Sequence, residues 1–139
     1  MEHEVVTKEL QHDRVWRLQH LREVIENAAE QSFDLMHWGT RGFAQSACGS
    51  VACAGGWAAT DPTFRKLGLE PYSEHVCVPT MRVTPGAYST GYGALGQFFG
   101  LPRVTAAYLF GPGPKGQRGK AEFFRRLDRV ESAIDRKLI

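Results

Sequence analysis

The clearest pattern in the chain is a row of apolar residues near its end, spaced by three and four positions. The row consists of Phe123, Leu127, Val130, Ile134 and Leu138, and the positions between them are mostly polar or charged. Spacing of this kind places the apolar side chains on one face of an amphipathic helix. We therefore predict a helix from about Gly119 to the end of the chain, with that face buried in the core.

A second apolar row with the same spacing lies near the start of the chain. It consists of Val15, Leu18, Leu21, Ile25 and Ala28. The spacing predicts a helix from about Asp13 to Gln31. Because both rows are too apolar to remain in water, we expect the last helix to pack against the first.

Charge is distributed unevenly along a chain whose formal net charge is only +2. Residues 1–30 carry a net charge of −3, and residues 115–139 carry +4. We therefore expect the acidic flank of the first helix (Glu23, Glu26 and Glu30) to face the basic flank of the last. Surface pairs contribute only about 0.2–1 kcal/mol each, so this attraction would orient the two helices rather than stabilise them.

Glycine and proline dominate the middle of the chain, and all 15 glycines lie between Gly39 and Gly119. They divide this region into short helices, which we predict over about 49–60, 61–68, 93–99 and 102–110. Asp61 and Pro62 mark the start of the second helix as its N-cap and first residue. The prolines within residues 71–90 indicate a long loop, in which we predict a small β-hairpin near 76–83.

Composition agrees with one mostly α domain over residues 1–139, in which residues 1–12 can be flexible. The chain is 42% hydrophobic and 23% charged, close to globular averages. Its longest apolar run, residues 51–59, falls well short of the roughly 20 residues of a membrane span. The acidic start differs from a secretory signal, and three cysteines exclude a fully paired disulfide framework. We expect a reduced cytoplasmic protein with no cofactor and no membrane partner.

Residues 47–58 are the most distinctive segment, because cysteine, alanine and glycine are concentrated there. We interpret the segment as a buried helix whose small residues allow a neighbouring element to approach closely. Glycine inside a helix costs about 0.5–1 kcal/mol relative to alanine, so Gly55 and Gly56 indicate a packing requirement. Cys53 and Trp57 then belong to the core, with the cysteine acting as a small apolar side chain.

A zinc site is one alternative role for the cysteines. Cys48, Cys53, Cys77 and His75 offer the thiolate and imidazole groups that zinc binds, and His37 is a further imidazole. The spacing argues against such a site, because Cys48 and Cys53 would point about 140° apart on a helix. They converge only if Cys48 precedes that helix.

A catalytic thiol is the second alternative. Cys48 at a helix N-terminus would have a lowered thiol pKa, with His37 or His75 as its base and Gln45 as an oxyanion donor. The run around Cys48 is faintly similar to papain-like cysteine peptidases. In that family, however, the nucleophilic cysteine and a tryptophan follow Cys-Gly-Ser directly, whereas here Val51 and Ala52 intervene.

Residues 94–110 have the pattern of a helix-turn-helix, with a glycine turn between two short helices. A DNA-reading second helix needs exposed polar side chains, and this one offers only Arg103, Thr105 and Tyr108. We therefore favour a core helical hairpin and keep a nucleic-acid-binding regulator as an alternative. The basic residues of the last helix are either partner or phosphate contacts or a solvated face. They are Arg118, Lys120, Arg125, Arg126 and Arg129.

Several segments together resemble an uncharacterised family of small proteins from bacteriophages, prophages and some bacterial genomes. The matching blocks are Phe33-Asp-Leu-Met-His-Trp38, the segment from Cys48 to Ala58, Phe98-Phe-Gly-Leu101 and Ala107-Tyr-Leu-Phe110. The resemblance covers roughly residues 15–138 and assigns no activity to any residue. It implies a non-enzymatic accessory protein that binds and inhibits a host protein or ribonucleoprotein complex, such as a defence system, in the manner of an anti-CRISPR protein.

Overall fold

The computed structural model describes residues 2–39, 52–73 and 77–139. Within these ranges the chain forms six α-helices and a small antiparallel sheet, which confirms the predicted mostly α fold class. The helices are α1 (Glu2–Asn27), α2 (Ala54–Thr60), α3 (Pro62–Lys66), α4 (Gly91–Phe99), α5 (Arg103–Phe110) and α6 (Gly116–Asp135), with a 3₁₀ turn at Glu30–Ser32. None of the helices in the described ranges combines the length and apolarity needed to cross a lipid bilayer.

The sheet contains three strands in the order β1 (Leu69–Pro71), β2 (Pro79–Thr84) and β3 (Ala87–Thr90). The hairpin therefore lies later than the predicted 76–83, with its turn at Pro85 and Gly86. Gly86 has a φ of 83°, which matches a type II turn with proline before glycine. β1 was not predicted, and only its last residue, Pro71, falls in the predicted loop; this strand forms because it pairs with β2.

The first helix is longer than predicted at its start and shorter at its end. α1 begins at Glu2 rather than near Asp13, because its first turns carry helix-forming polar residues without a regular apolar row. It ends at Asn27, and the chain then turns through Glu30–Ser32. The predicted cap of α3 is confirmed, since the Asp61 carboxylate accepts a hydrogen bond from the Phe64 amide at 3.1 Å.

The core forms where α1, α4, α5 and α6 meet, and α6 packs on α1 as predicted. Cys53, Phe123, Leu127 and Val130 are buried, as predicted for core residues, whereas Trp57 and Ile134 are only partly buried at its margin. Among the described residues, the largest buried side chains are six phenylalanines, at positions 33, 64, 98, 99, 110 and 123. Burial of each contributes roughly 1.5–3 kcal/mol before the loss of entropy.

Two members of the predicted apolar rows lie outside the core. Leu138 is 64% exposed, because Lys137 has a φ of 58° and the chain leaves the helical path there. Val15 is 40% exposed, since it lies at the edge of the α1 face that α6 covers. Apolar periodicity therefore identified the right helix faces but extended each of them one turn too far.

The charges between the first and last helices are paired in the opposite sense to the one predicted. Arg22 of α1 donates hydrogen bonds to Asp128 at 2.7 Å and to Glu131 at 2.8 Å, both on α6. Lys120 of α6 binds the backbone carbonyl groups of Glu26 and Ala28 rather than a glutamate carboxylate. The negative end of the α1 dipole therefore attracts this lysine in place of an acidic side chain.

Candidate functional site

The cysteine segment is buried as predicted, but its helix begins only at Ala54, with Cys53 as the preceding cap residue. The Cys53 amide donates a hydrogen bond to the His37 carbonyl at 2.6 Å, which holds α2 against the segment 33–38. Burial raises the pKa of the Cys53 thiol to about 11, although the backbone amides of Gly56 and Gly55 act in the opposite direction. At neutral pH the thiol is therefore protonated and is a poor nucleophile.

Of the other residues predicted to take part in catalytic cysteine chemistry, only His37 lies within the described residues. Cys48, Gln45 and His75 lie outside the described residues. The His37 ring is exposed and lies 3.9 Å from the Asp34 carboxylate. It lines a cavity of about 80 Å³ together with Cys53, so these two residues do share a site.

No metal centre forms from the candidates that the structure describes. Cys53 and Cys77 are both buried. Among the side chains that the structure describes, no three of the His, Cys, Asp and Glu residues lie close enough together to hold a metal ion. A zinc site at this place would therefore require ligands from the segment around Cys48.

Three of the six basic residues predicted as partner contacts serve the fold instead. The Lys120 ammonium donates to the Ala28 carbonyl at 2.7 Å at the end of α1. The Arg126 guanidinium donates to the carbonyl groups of Gly111 and Pro112, at 2.8 Å each, and so holds the connection between α5 and α6. Arg125 pairs with Glu122 at 2.7 Å.

Arg103, Arg118 and Arg129 remain available. None of the three forms a hydrogen bond or ion pair to another residue in the described part of the chain. Glu122 is the nearest acid along α6 to Arg118, but hydrogen bonds from Arg125 and Arg126 lower the pKa of its carboxyl to about 2. Its charge is therefore already matched within the helix.

α4 and α5 form the predicted core hairpin. α4 ends at Gly100, which adopts the left-handed conformation with a φ of 68°. A Cβ on Gly96 would lie 2.8 Å from the Leu101 carbonyl oxygen, so the tight turn requires glycine at position 96. The α5 side chains of Ala106, Leu109 and Phe110 are buried, which supports a structural role for this helix.

An open groove with a mostly apolar lining lies between α5 and α6. It encloses about 340 Å³ and is lined by Val104, Thr105, Tyr108, Arg129, Val130, Ala133 and Ile139. Val104 is 76% exposed and Tyr108 is 40% exposed. The Arg126 hydrogen bonds to the α5–α6 connection hold the two walls of this groove in place.

The groove can bind apolar side chains and one or more anionic groups. Its floor is apolar, and the polar groups that enter it are the hydroxyls of Thr105 and Tyr108 and the guanidinium of Arg129. Of the predicted contact residues, the structure brings Arg129 into this site and places Arg125 beside Tyr108. Arg118 lies three helical turns before Arg129 and does not line the groove.

Sequence reasoning missed Val104 as a surface residue. The pattern of α5 predicts a buried helix, because five of its eight residues are alanine, valine, leucine or phenylalanine. A short surface helix can bury only one of its faces. Because α5 carries apolar residues on more than one face, the sequence did contain a signal that some of them would remain exposed.

No family model, curated protein or solved structure matches this chain. The resemblance to phage and prophage proteins therefore stays a prediction. The function has to be inferred from the geometry of the groove and the charges around it.

Proposed function

We propose that this protein acts by binding another protein, and that the groove between α5 and α6 is its binding site. Val104 carries this proposal, because it is 76% exposed in a groove whose other lining residues are mostly apolar. Single exposed apolar residues are ordinary, but a continuous apolar groove is typical of a contact surface. Covering it is favourable by roughly 25 cal/mol for each Å² of apolar surface removed from water.

The chemistry of the groove supports binding rather than catalysis. Among the described residues that line it, there is no histidine, cysteine, aspartate or glutamate that could act as a base or nucleophile. Thr105, Tyr108 and Arg129 can donate hydrogen bonds, which suits recognition of polar groups at the margin of an apolar contact.

We further propose, on the resemblance described above, that the partner belongs to a host protein or ribonucleoprotein complex. The protein would then be an accessory protein of a phage or mobile element that acts in the host cytoplasm. Inhibition of a defence complex in the manner of an anti-CRISPR protein requires a contact surface and no catalytic group. The α5–α6 groove supplies such a surface.

A nucleic-acid-binding regulator is the second candidate. It is favoured by Arg103, Arg118 and Arg129, which lack ion-pair partners in the described ranges. The apolar floor of the groove makes it the weaker candidate, because phosphate groups need hydrogen-bond donors and positive charge. A cysteine-dependent enzyme would depend on Cys48, which lies outside those ranges.

Affinity capture from a bacterial lysate with a matched pair of variants tests the proposal. Val104→Glu places a charge in the groove, while Val15→Glu makes the same change at an exposed valine of α1. We expect wild type and Val15→Glu to capture the same proteins, and Val104→Glu to lose them at least tenfold, which corresponds to about 1.4 kcal/mol. Thermal melts establish that both variants fold.

Two results would contradict the proposal. Capture that is equal for Val104→Glu and wild type would mean that the groove is not the contact surface. Capture that disappears after nuclease treatment, with no protein bound directly, would favour the nucleic-acid regulator instead.

A further inference from the structure

The walls of the groove restrict how a protein partner can be recognised. Both walls are helices, α5 and α6, whose backbone groups are hydrogen-bonded within the helices. None of the strands in the described ranges borders the groove, so a partner cannot pair with a strand edge there. Binding must therefore come from side chains, and an amphipathic helix that lays its apolar face between two helices is the common solution.

The charge around the groove restricts the partner further. Arg129 lines the groove, and Arg125 lies beside Tyr108 on the same side of α6. Arg103 begins α5 directly before Val104. The acids Asp128 and Glu131 lie on the other side of α6, where Arg22 binds them. The α6 wall of the groove therefore carries the positive charge of Arg129, while Glu122 on the same helix is shared between Arg125 and Arg126.

We propose that the partner segment is an acidic amphipathic helix. Its apolar side chains occupy the groove against Val104 and Tyr108, and its glutamate or aspartate residues face Arg129. This inference rests on the proposed function and adds the chemistry of the partner to it. Charge-assisted hydrogen bonds from arginine to carboxylate would set the orientation of the bound helix, and the apolar contact would supply most of the affinity.

A nucleic acid fits the same surface less well. The groove is lined by four apolar residues that cannot donate a hydrogen bond to phosphate through their side chains, namely Val104, Val130, Ala133 and Ile139. Tyr108 could stack on a base, but a single aromatic residue offers little against this apolar lining. The observations therefore favour a protein helix.

Three synthetic peptides of about 15 residues test the inference, since a helix of this length is only marginally stable alone and folds on binding. They share one leucine and isoleucine face and carry glutamate, glutamine or lysine on the other. Binding to the full-length protein is measured by fluorescence anisotropy at two salt concentrations. We expect the glutamate peptide to bind at least tenfold more tightly than the glutamine peptide, and the lysine peptide to bind least.

Arg129→Glu and Arg118→Glu provide the matched variants, because both arginines are exposed on α6 and only Arg129 lines the groove. Arg129→Glu should reverse the preference between the glutamate and lysine peptides, whereas Arg118→Glu should leave it unchanged. High salt should reduce the preference and leave the binding of the glutamine peptide nearly constant.

Failure of this inference can be distinguished from failure of the proposed function. If the glutamate and glutamine peptides bind equally and Val104→Glu abolishes both, the groove remains the site and the acidic partner is wrong. If the glutamate peptide does not bind, or if single-stranded DNA displaces it with higher affinity, the inference is also overturned. If Val104→Glu leaves peptide binding unchanged, the groove is not the binding site and the proposed function is refuted.

Discussion

The carbonyl oxygen of Trp38 lies against Gly56, in the place that any side chain at position 56 would occupy. The Trp38 ring stands in the same relation to Gly55, where an added Cβ would lie 2.7 Å from ring atom Cζ3. α2 can therefore pack on the segment before it only because both positions are glycine. This contact is the packing requirement that two adjacent glycines in a helix indicated.

Gly56→Ala should destabilise the protein by about 3 kcal/mol or more, because backbone rather than a flexible side chain must move. Gly93→Ala is the control, since a Cβ at this helical position of α4 would meet nothing within 4 Å. It should stabilise the protein by about 0.5–1 kcal/mol through helix propensity. Urea denaturation followed by circular dichroism measures both, and equal effects would refute the assigned contact.

Leu127→Ala should cost about 2–5 kcal/mol, because Leu127 is fully buried and its truncation leaves a cavity between α6 and the core. Leu138→Ala makes the same change at an exposed position and should alter stability by less than about 0.5 kcal/mol. Thermal and chemical melts give both values. A small loss at position 127 would mean that the α6 face is a surface rather than part of the core.

Lys120→Met should reduce stability by about 1 kcal/mol, because it keeps the apolar stem but removes the donors to the end of α1. Arg118→Met, two positions earlier and without such contacts in the described residues, should change stability little. Denaturation of the two variants side by side separates a capping role from general loss of charge. Equal losses would count against the cap.

Stability should fall as the pH rises from about 9 to 11, because the buried Cys53 thiol keeps its proton in the folded state more strongly than in the unfolded chain. The raised pKa stabilises the folded state at pH values below the thiol pKa of the unfolded chain. This stabilisation is lost as the pH rises through the thiol pKa of the folded state. A shift of about two pKa units corresponds to about 2–3 kcal/mol. Cys53→Ala should flatten this part of the pH profile, and an unchanged profile would contradict the assigned burial.

Local pattern alone determined the helical class, the faces of α1 and α6, and most of the short helices. Apolar residues such as Phe123 and Leu127 recur at the helical period, and Asp61 with Pro62 begins α3 through contacts within one turn. Gly100 marks the end of α4 through its backbone freedom. Each of these features depends on neighbours close in sequence, so the sequence is sufficient to predict them.

Only the tertiary structure decided which residues meet between elements. Arg22 rather than Glu23 or Glu26 pairs across α1 and α6, β1 exists only through pairing with β2, and Val104 is exposed although α5 is apolar. Such outcomes depend on how helices cross and on which face of α5 the core covers. Apolar periodicity is a property of one helix at a time, and it carries no information about the crossing that leaves the α5–α6 groove open.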